Sequence, residues 1–515
     1  MKDADTEGAA PVDPMKEYRG PFAMVLAAGF MTLLDVSIVN VALPSIEAAL
    51  GAGSDDLQWI VAGYALTFGL MLILAGRAGD IFGRRRLFLW GLSAFVLASL
   101  GCGLAPNATW LIALRLLQGA AAGVLNPQVL GLIQDMFKGK DRARAFGVFG
   151  IVVGLSTALG PVIGGALIAA AGAEHGWRLV FLINVPIGLV VIPLAAKWLP
   201  RHKFVVSEES GSLITRFDPV GILLLGGIVL TIMWPFLSES ADAHDPSAGS
   251  SPYWLLGVSA ALVVVLLLWE KYWRNSGRSA LVEPVLYKDS SFVLGLTAMF
   301  FYFGGFTSFF LILTLYLQQG LKWQALAAGL AVVPFALVSG LTSGASGRLV
   351  NRFGRKVPLV GSSIVVVGAL GMAACAQWLP TNLAPVGVII SMTFAGIGSG
   401  LFISPNQALT LADVQPASAG LAAALLQTFQ RLGAAIGLSI VTTIYFVSVA
   451  KGSGESSAAS HAHALALACV AISVGVTAAV CANIADAVRR TKEPSESARI
   501  LAKLRGSKKY EGPSE

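Results

Sequence analysis

The stretch that decides the fold is a short basic loop at residues 76–86, with the sequence GRAGDIFGRRR. It joins two apolar segments, each of about 20 residues, which is enough to cross a bilayer as a helix. Residues 347–356, GRLVNRFGRK, repeat the loop in register, except that Asn351 stands where the first copy has Asp80. A basic loop that occurs once in each half of the chain predicts a protein built from two related halves, as in many transporters.

The composition indicates a membrane protein. Of the 515 residues, 55% are hydrophobic and only 13% are charged, which is far from the balance of a soluble domain. The four cysteines lie in apolar segments without Cys-x-x-Cys spacing, so neither disulfides nor metal ligands are expected. The net charge of +7 arises in short loops and does not indicate a nucleic-acid partner. We expect an all-α monomer in a lipid bilayer, with no metal, cofactor or catalytic residue.

Apolar segments predict fourteen membrane-spanning helices. The predicted spans are residues 22–46, 58–78, 87–106, 109–131, 144–171, 179–199, 218–237, 253–273, 292–318, 325–347, 358–378, 383–411, 418–449 and 463–487. The domains expected from them are a tail at 1–21, a six-helix bundle at 22–199, a linker region with spans 7 and 8 at 200–291, a second six-helix bundle at 292–487, and a tail at 488–515. Because the internal repeat excludes spans 7 and 8, we expect their removal to leave the two bundles folded.

The positions of the basic residues predict the orientation. With the N-terminus inside, the outer loops carry only Arg178, Lys322 and Lys451 of the 36 lysines and arginines. Nearly all the others fall in inner loops and tails, which is the distribution that places those loops in the cytoplasm. We therefore expect a multi-pass protein of the cytoplasmic membrane with both termini in the cytoplasm.

Asp35 is the only carboxylate that falls well inside a predicted span. An ionisable group at that depth is costly and is usually functional. A carboxylate there is suited to bind a proton in one exposure state and to release it in another. A local interpretation is also open, in which Asp35 forms hydrogen bonds near Ser37 or Asn40 at an irregular point of the helix.

Two arginines also fall inside predicted spans. Arg115 lies early in span 4, which runs opposite to span 1, so we expect it at the depth of Asp35 in the outer half of the membrane. It has either a functional role or a structural one, in which it binds carbonyl groups or lipid headgroups. Arg431 lies nearer the inner end of span 13, where a long side chain reaches the interface easily. A structural role is therefore favoured for Arg431 over contact with a substrate or a coupling acid.

Three further motifs occur in order along the first half. Residues 34–44 read LDVSIVNVALP, and residues 177–188 read WRLVFLINVPIG. Between them, span 5 carries Gly154, Gly160, Pro161, Gly164 and Gly165. Together with the loop at 76–86, these motifs resemble signatures of the major facilitator superfamily, and specifically of its fourteen-helix drug:proton antiporter branch.

The resemblance implies two six-helix bundles with two additional central helices and a transporter driven by the proton gradient, which exports an amphipathic small molecule. In such a protein Asp35 would take a proton from outside and release it inside. Arg115 matches an arginine that is linked to proton transfer in the family. The glycines of span 5 would form a pliable interface between the halves that prevents leakage, although ordinary tight packing is an equally compatible interpretation.

A repeated acid accompanies each basic loop. Asp135 follows Pro127 at the end of span 4, and Asp413 follows Pro405 at the same spacing in span 12. We expect Asp135 to pair with Arg84 or Arg85, and Asp413 with Arg355 or Lys356. Asp80, which has no acidic counterpart, is expected near Ser418 and Gly420, where the N-terminus of span 13 favours an anion. The complete predicted cytoplasmic gate is Gly76, Asp80, Gly83, Arg84, Arg85, Asp135, Arg355 and Asp413.

Aromatic residues in span 9 and polar residues in spans 1 and 13 suggest a substrate pocket. Such sites are largely apolar and aromatic with a few polar groups. The candidate pocket residues are Asn40, Phe306, Phe310 and Gln427. Aromatic side chains in spans face lipid at least as often, so this alternative stays open for Phe306 and Phe310.

Other classes of protein fit the sequence less well. No phosphate-binding loop of the Gly-x-x-x-x-Gly-Lys-Ser/Thr kind is present, so ATP-driven pumping is not expected. A membrane enzyme commonly needs paired histidines, cysteines or metal ligands, but the five histidines lie in loops or at the edges of spans. An exporter of an endogenous metabolite, antibiotic or lipid is the nearer alternative. A nutrient importer is disfavoured only by the resemblance of span 5 to antiporters.

Overall fold

The structure is a computed structural model that describes residues 14–200, 218–242, 252–276, 290–323, 325–412, 414, 418–452 and 457–492. This part of the chain is helical and contains no strand. The long helices are α1 (Arg19–Leu50), α2 (Ser54–Phe82), α3 (Arg84–Gly103), α4 (Ala108–Met136), α5 (Gly139–Leu182), α6 (Asn184–Trp198), α7 (Pro219–Asp242), α8 (Trp254–Asn275), α9 (Ser290–Leu315), α10 (Val333–Phe353), α11 (Lys356–Trp378), α12 (Ala384–Thr410), α13 (Ala419–Lys451) and α14 (Ser457–Lys492).

Each predicted span coincides with one of these helices, except that span 6 begins in the part of α5 beyond a break at Gly172 and continues through α6, as the segment Glu174–Trp198. By length and hydropathy, twelve helical segments of the described residues could cross a membrane, and a pair bent by 43°, Trp59–Leu72 and Leu74–Phe82, would make a thirteenth. The remaining span falls on α7, whose apolar part Leu223–Pro235 is shorter. The predicted fold is therefore confirmed. A helix lies at each of the fourteen predicted positions, but the apolar part of α7 is shorter than a full span.

Glycine makes the tight turn in both copies of the basic loop. Gly83 links α2 to α3 with φ 93°, and Gly354 links α10 to α11 with φ 56°. Residues with a side chain rarely adopt such positive φ angles. The sequence repeat therefore preserves a backbone conformation and brings each arginine-rich helix start next to the preceding helix.

The helices form two bundles that meet along two seams. Helices α1–α6 pack together in the first half, and α9–α14 pack together in the second. Helix α2 contacts α13 along one seam, and α5 contacts α10 along the other. Both seams begin at the end of the molecule that carries the loops 76–86 and 347–356, which we call the basic end.

The additional helices α7 and α8 differ in their contacts. Helix α7 packs against both α2 and α13 and so covers their seam, whereas α8 packs mainly against α7. On this surface the Trp234 ring lies 5.5 Å from that of Trp59, and a Cβ added to Gly69 would come within 3.1 Å of the Met233 sulfur. The sequence repeat did not indicate this placement, and the tolerance to removal of both helices stays a prediction.

Candidate functional site

Asp35 and Arg115 form a buried ion pair inside the first bundle. The Arg115 Nη1 atom lies 2.6 Å from Asp35 Oδ2, and the two side chains are 2% and 0% exposed. Arg115 Nε also donates to the Ile60 carbonyl at 3.0 Å. The pair thus joins α1, α2 and α4, and the sequence-based expectation that the two residues share one depth agrees with this contact.

Three neutral polar side chains surround this pair, and two of them, Gln118 and Asn184, form hydrogen bonds with it. Gln118 Nε2 donates to Asp35 Oδ1 at 2.8 Å, while its Oε1 accepts from Arg115 Nη1 at 2.8 Å. Asn184 Nδ2 reaches the same Asp35 oxygen at 3.2 Å and donates to Ser99 Oγ at 2.9 Å. All of these residues are buried. A charged pair in a low-dielectric interior requires such partners for its remaining lone pairs and protons.

The sequence analysis assigned no role to Gln118, Ser99 or Asn184. Gln118 follows Arg115 by one helical turn, so its position on the same helix face was available from spacing alone. Asn184 lies in the motif at 177–188, which indicates the family but not a contact with Asp35. Ser99 carries no sequence signal, because serines are frequent in apolar helices and usually bond to their own backbone.

A row of aromatic rings leads from this network to the second half. The Arg115 guanidinium lies 4.1 Å from the centre of the Tyr64 ring. The Tyr64 ring is 6.0 Å from the Phe68 ring on the same helix, α2. Across the seam, the Arg431 guanidinium of α13 lies 4.1 Å from the centre of the Phe68 ring. Arg431 therefore contacts the first half of the molecule at the level of Phe68.

The glycines of the predicted antiporter motif serve two different interfaces. A Cβ on Gly160 would come 2.0 Å from Ser37 Oγ, and one on Gly164 would come 2.9 Å from Ile38, so both pack α5 against α1 beside Asp35. Gly154 instead packs across the seam, where a Cβ would come 3.1 Å from the Gly340 Cα. Gly165 has open space around it. Pro161 lies within the same helix α5.

Asp80 connects the two halves at the basic end. Its carboxylate accepts hydrogen bonds from the backbone N–H groups of Gly420 and Leu421 at 3.0 Å each, at the N-terminus of α13. The same carboxylate forms an ion pair with Arg84 at 2.9 Å. Gly76 permits this approach, because a Cβ there would come 2.5 Å from the Ala424 Cβ. The contact is the one expected from the sequence.

The other predicted gate residues pair within their own halves. Arg84 forms a second ion pair with Asp135, whereas Arg85 donates to the Ala196 carbonyl. Arg355 forms an ion pair with Asp486 of α14, a partner that the sequence analysis did not name. Asp413 lies outside the described residues, so its pairing with Arg355 or Lys356 stays a prediction.

Further contacts close the basic end. Arg142 donates to the carbonyl oxygens of Leu411 and Ala412 at 3.1 and 3.2 Å, where α12 ends. Cations are favoured at this end of a helix, just as the Asp80 anion is favoured at the start of α13. The first half therefore holds both the end of α12 and the beginning of α13.

The candidate pocket residues are only partly brought together. Phe306 and Phe310 share a cluster with Phe335, with ring centres 5.2 to 6.0 Å apart. Phe306 also lines a cavity of about 20 Å³ between α5, α10 and α12, which has room for a water molecule and not for a drug-sized compound. Asn40 is exposed on α1, and Gln427 is buried on α13. Asn40 therefore lies on a helix of the first bundle, whereas the aromatic cluster lies on helices of the second.

Comparisons with known proteins agree with this architecture. The profile of the Major Facilitator Superfamily matches residues 25–217 and 219–438. The chain is 34% identical to the probable actinorhodin transporter of Streptomyces coelicolor, over 85% of this chain and 74% of that protein. It is 33% identical to the puromycin resistance protein pur8 of Streptomyces alboniger, over 85% and 84% of the two chains.

A third relative and a solved structure extend the comparison. The riboflavin transporter RibZ of Clostridioides difficile is 30% identical, over 82% of this chain and 86% of that protein. Among solved structures, the proton:xylose symporter XylE superposes with a TM-score of 0.59 at 14% identity, over 89% of this chain and 95% of that chain. This structural likeness concerns the fold alone.

Proposed function

Because this chain belongs to the major facilitator superfamily and is a membrane transporter rather than an enzyme, we propose that it is a proton-coupled antiporter that exports amphipathic drugs or antibiotics across the cytoplasmic membrane. The observation that carries the proposal is the buried Asp35–Arg115 pair, whose carboxylate also accepts hydrogen bonds from Gln118 and Asn184. Relatives that are named for actinorhodin transport and puromycin resistance support the class of substrate.

The proton step follows from the contacts of Asp35. In its charged form Asp35 holds Arg115 of α4 and the amides of Gln118 and Asn184. Protonation removes the charge that attracts Arg115 and turns one acceptor oxygen into a donor. The attraction between α1 and α4 then weakens, which changes the relative free energies of the two conformations of the transporter.

The alternating step follows from the closed basic end. With the basic loops in the cytoplasm, the contacts of Asp80 and Arg142 across the halves close the cytoplasmic side. The conformation is then the one in which Asp35 exchanges protons with the outside. Rocking of one bundle against the other would break these contacts and open the path from the cytoplasm.

A second candidate substrate is an endogenous metabolite. The riboflavin transporter among the relatives favours it, since that protein is named for a single defined compound and not for drug resistance. The same proton step would serve this substrate, and only the compounds transported would differ.

The test is the Asp35→Asn variant reconstituted in liposomes, with tetramethylrhodamine, an amphiphilic dye, as the transported compound. We expect proton-gradient-driven transport to fall to the background of empty liposomes, because no other carboxylate lies at this depth among the described residues. Glu47→Gln, which alters an exposed acid on the same helix, is the matched control and should transport normally. Full gradient-driven transport by a well-folded Asp35→Asn protein would contradict the proposal.

A further inference from the structure

Arg431 is an arginine deep in the bundle without an acidic partner among the described residues. It lies about 17 Å along α13 from Gly420, a distance comparable to half of the hydrocarbon core. The guanidinium lies over the Phe68 ring and not at the basic end of the molecule. In contrast, Arg84, Arg115 and Arg355 each form an ion pair with an aspartate. A guanidinium at such depth needs acceptors, and Arg431 has most of its hydrogen-bonding capacity unused.

The surroundings of Arg431 consist of aromatic rings and not of carboxylates. Its guanidinium lies over the Phe68 ring at 4.1 Å, and Phe68 adjoins Tyr64. The Tyr64 hydroxyl is buried and has no hydrogen-bond partner in the described structure. Two polar groups between α2 and α13, the Tyr64 hydroxyl and the Arg431 guanidinium, therefore have hydrogen-bonding positions that the described residues do not fill.

The Arg431 side chain also remains partly accessible. It is half-buried, although the helices α2 and α13 meet at this point. Gln427 lies one turn earlier on the same face of α13, and its amide forms no hydrogen bond with other described residues. Arg431 and Gln427 together offer several N–H donors, and a guanidinium binds a carboxylate through two parallel hydrogen bonds.

We propose that Arg431, assisted by Gln427, binds an anionic group of the transported amphiphile. The inference rests on the proposed function and specifies its substrate class, which is amphiphiles that carry a carboxylate or a comparable anion. Contact with Phe68 stabilises the guanidinium while no anion is bound, since the face of an aromatic ring attracts a cation. An arriving anion replaces this weaker contact. The bound group then lies on the same row of side chains as the Asp35–Arg115 pair.

The experiment measures the binding of two dyes that differ in one group. Tetramethylrhodamine has a free carboxylate, and its methyl ester does not. Binding to the intact protein in lipid nanodiscs is followed by fluorescence anisotropy without any ion gradient. We expect the free acid to bind more tightly than the ester, and Arg431→Gln to weaken binding of the acid about 10- to 100-fold while binding of the ester changes about twofold or less.

Two further variants make the result specific. Arg431→Lys keeps the charge and should retain part of the preference for the acid, whereas Arg144→Gln, which removes an exposed arginine at the basic end, should retain all of it. Equal affinity for acid and ester in the intact protein, an unchanged ratio in Arg431→Gln, or no saturable binding of either dye would overturn the anion site. Arg431-dependent binding of the acid, without proton-driven transport of it, would support the site and overturn only the proposed antiport.

Discussion

The two halves of the molecule share a packing pattern but not a set of charges. In each half the same pair of helices meets at a glycine. Helix α5 meets α1 at Gly160, where a Cβ would come 2.0 Å from Ser37 Oγ, and α13 meets α9 at Gly433, where it would come 2.0 Å from the Phe300 carbonyl oxygen. Close helix approach through small residues is a main source of association in lipid, so this pattern is what the duplication has retained.

The interiors of the halves differ at equivalent positions. Thr393 stands as far before Pro405 as Arg115 stands before Pro127, yet Thr393 Oγ1 only donates to the Ile389 carbonyl of its own helix at 2.7 Å. The described interior of the second half contains aromatic rings instead of an ion pair at this level. The Tyr302 ring of α9 stacks on the Phe402 ring of α12, with ring centres 4.1 Å apart. The comparison teaches that the Asp35–Arg115 pair gives the first half a charged interior, whereas the described interior of the second half consists of aromatic rings and of Arg431, which has no acidic partner there.

The largest expected effect comes from breaking the charged pair in the first half. Arg115→Met leaves Asp35 buried without its counter-charge and should lower the free energy of unfolding by about 3–5 kcal/mol. Thr393→Val, at the equivalent position of the second half, should lower it by less than about 1 kcal/mol. Thermal unfolding of the purified variants measures both. Equal losses would mean that the two interiors do not differ in the way described.

The double variant Asp35→Asn, Arg115→Met separates charge from packing. Because it removes both ions, it should recover part of the stability lost in Arg115→Met. If the double variant is no more stable than the single one, the loss arises from packing of the long side chain and not from an unpaired carboxylate.

A smaller effect tests the shared packing. Alanine at Gly160 and at Gly433 should each lower the free energy of unfolding by about 1–3 kcal/mol, the usual range for overpacking. The loss should be greater at Gly433, because its neighbour is a backbone carbonyl, whereas the Ser37 hydroxyl at Gly160 can rotate away. Chemical denaturation in detergent gives the order. A greater loss at Gly160 would show that the contact between α1 and α5 accommodates an added methyl group less well than the contact between α9 and α13.

The smallest expected effect concerns the two basic loops. Asp80→Asn removes the anion at the start of α13 and the ion pair with Arg84, and should raise the inward-open population about fivefold. Asn351→Asp places an anion near the start of α5, where Asn351 now donates to the Lys140 carbonyl at 3.4 Å, and should shift the population slightly the other way. Distances between spin labels at the basic ends of α2 and α13 report both shifts. If both variants and the parent protein gave identical distance distributions, the contact of Asp80 with the start of α13 would not control closure of the basic end.

Depth and repetition made the charged part of the site predictable. Asp35 and Arg115 could be identified because ions inside apolar segments are rare, and Asp80 could be placed at α13 because its loop is repeated without the acid. Asp486 was not identified as the partner of Arg355, because an acid near a charged tail resembles an ordinary helix end. The pairing is determined by how α14 lies against α11, which no local pattern specifies.

Neutral residues and helix contacts set the limit of prediction. Ser99 completes the Asp35 network through a contact between α3 and α6 that depends on the tertiary arrangement. Arg431 was expected to reach the membrane surface, yet it lies over Phe68, because the packing of α2 against α13 offers an aromatic face at that depth. The position of α7 was not predicted either, since hydropathy determines that a helix enters the membrane but not which neighbours it meets there.

Because α7 covers one of the two seams, the two flanks of the molecule that face the lipid are not equivalent. On the flank of α2 and α13, Met233 and Trp234 stand between the surrounding lipid and the junction of the halves. On the flank of α5 and α10, neither α7 nor α8 packs closely against the seam, which is formed by helices of the two bundles. A compound dissolved among the acyl chains would therefore meet an additional helix on one flank and only helices of the two bundles on the other, so that lateral exchange with the leaflet is expected to differ between the two flanks.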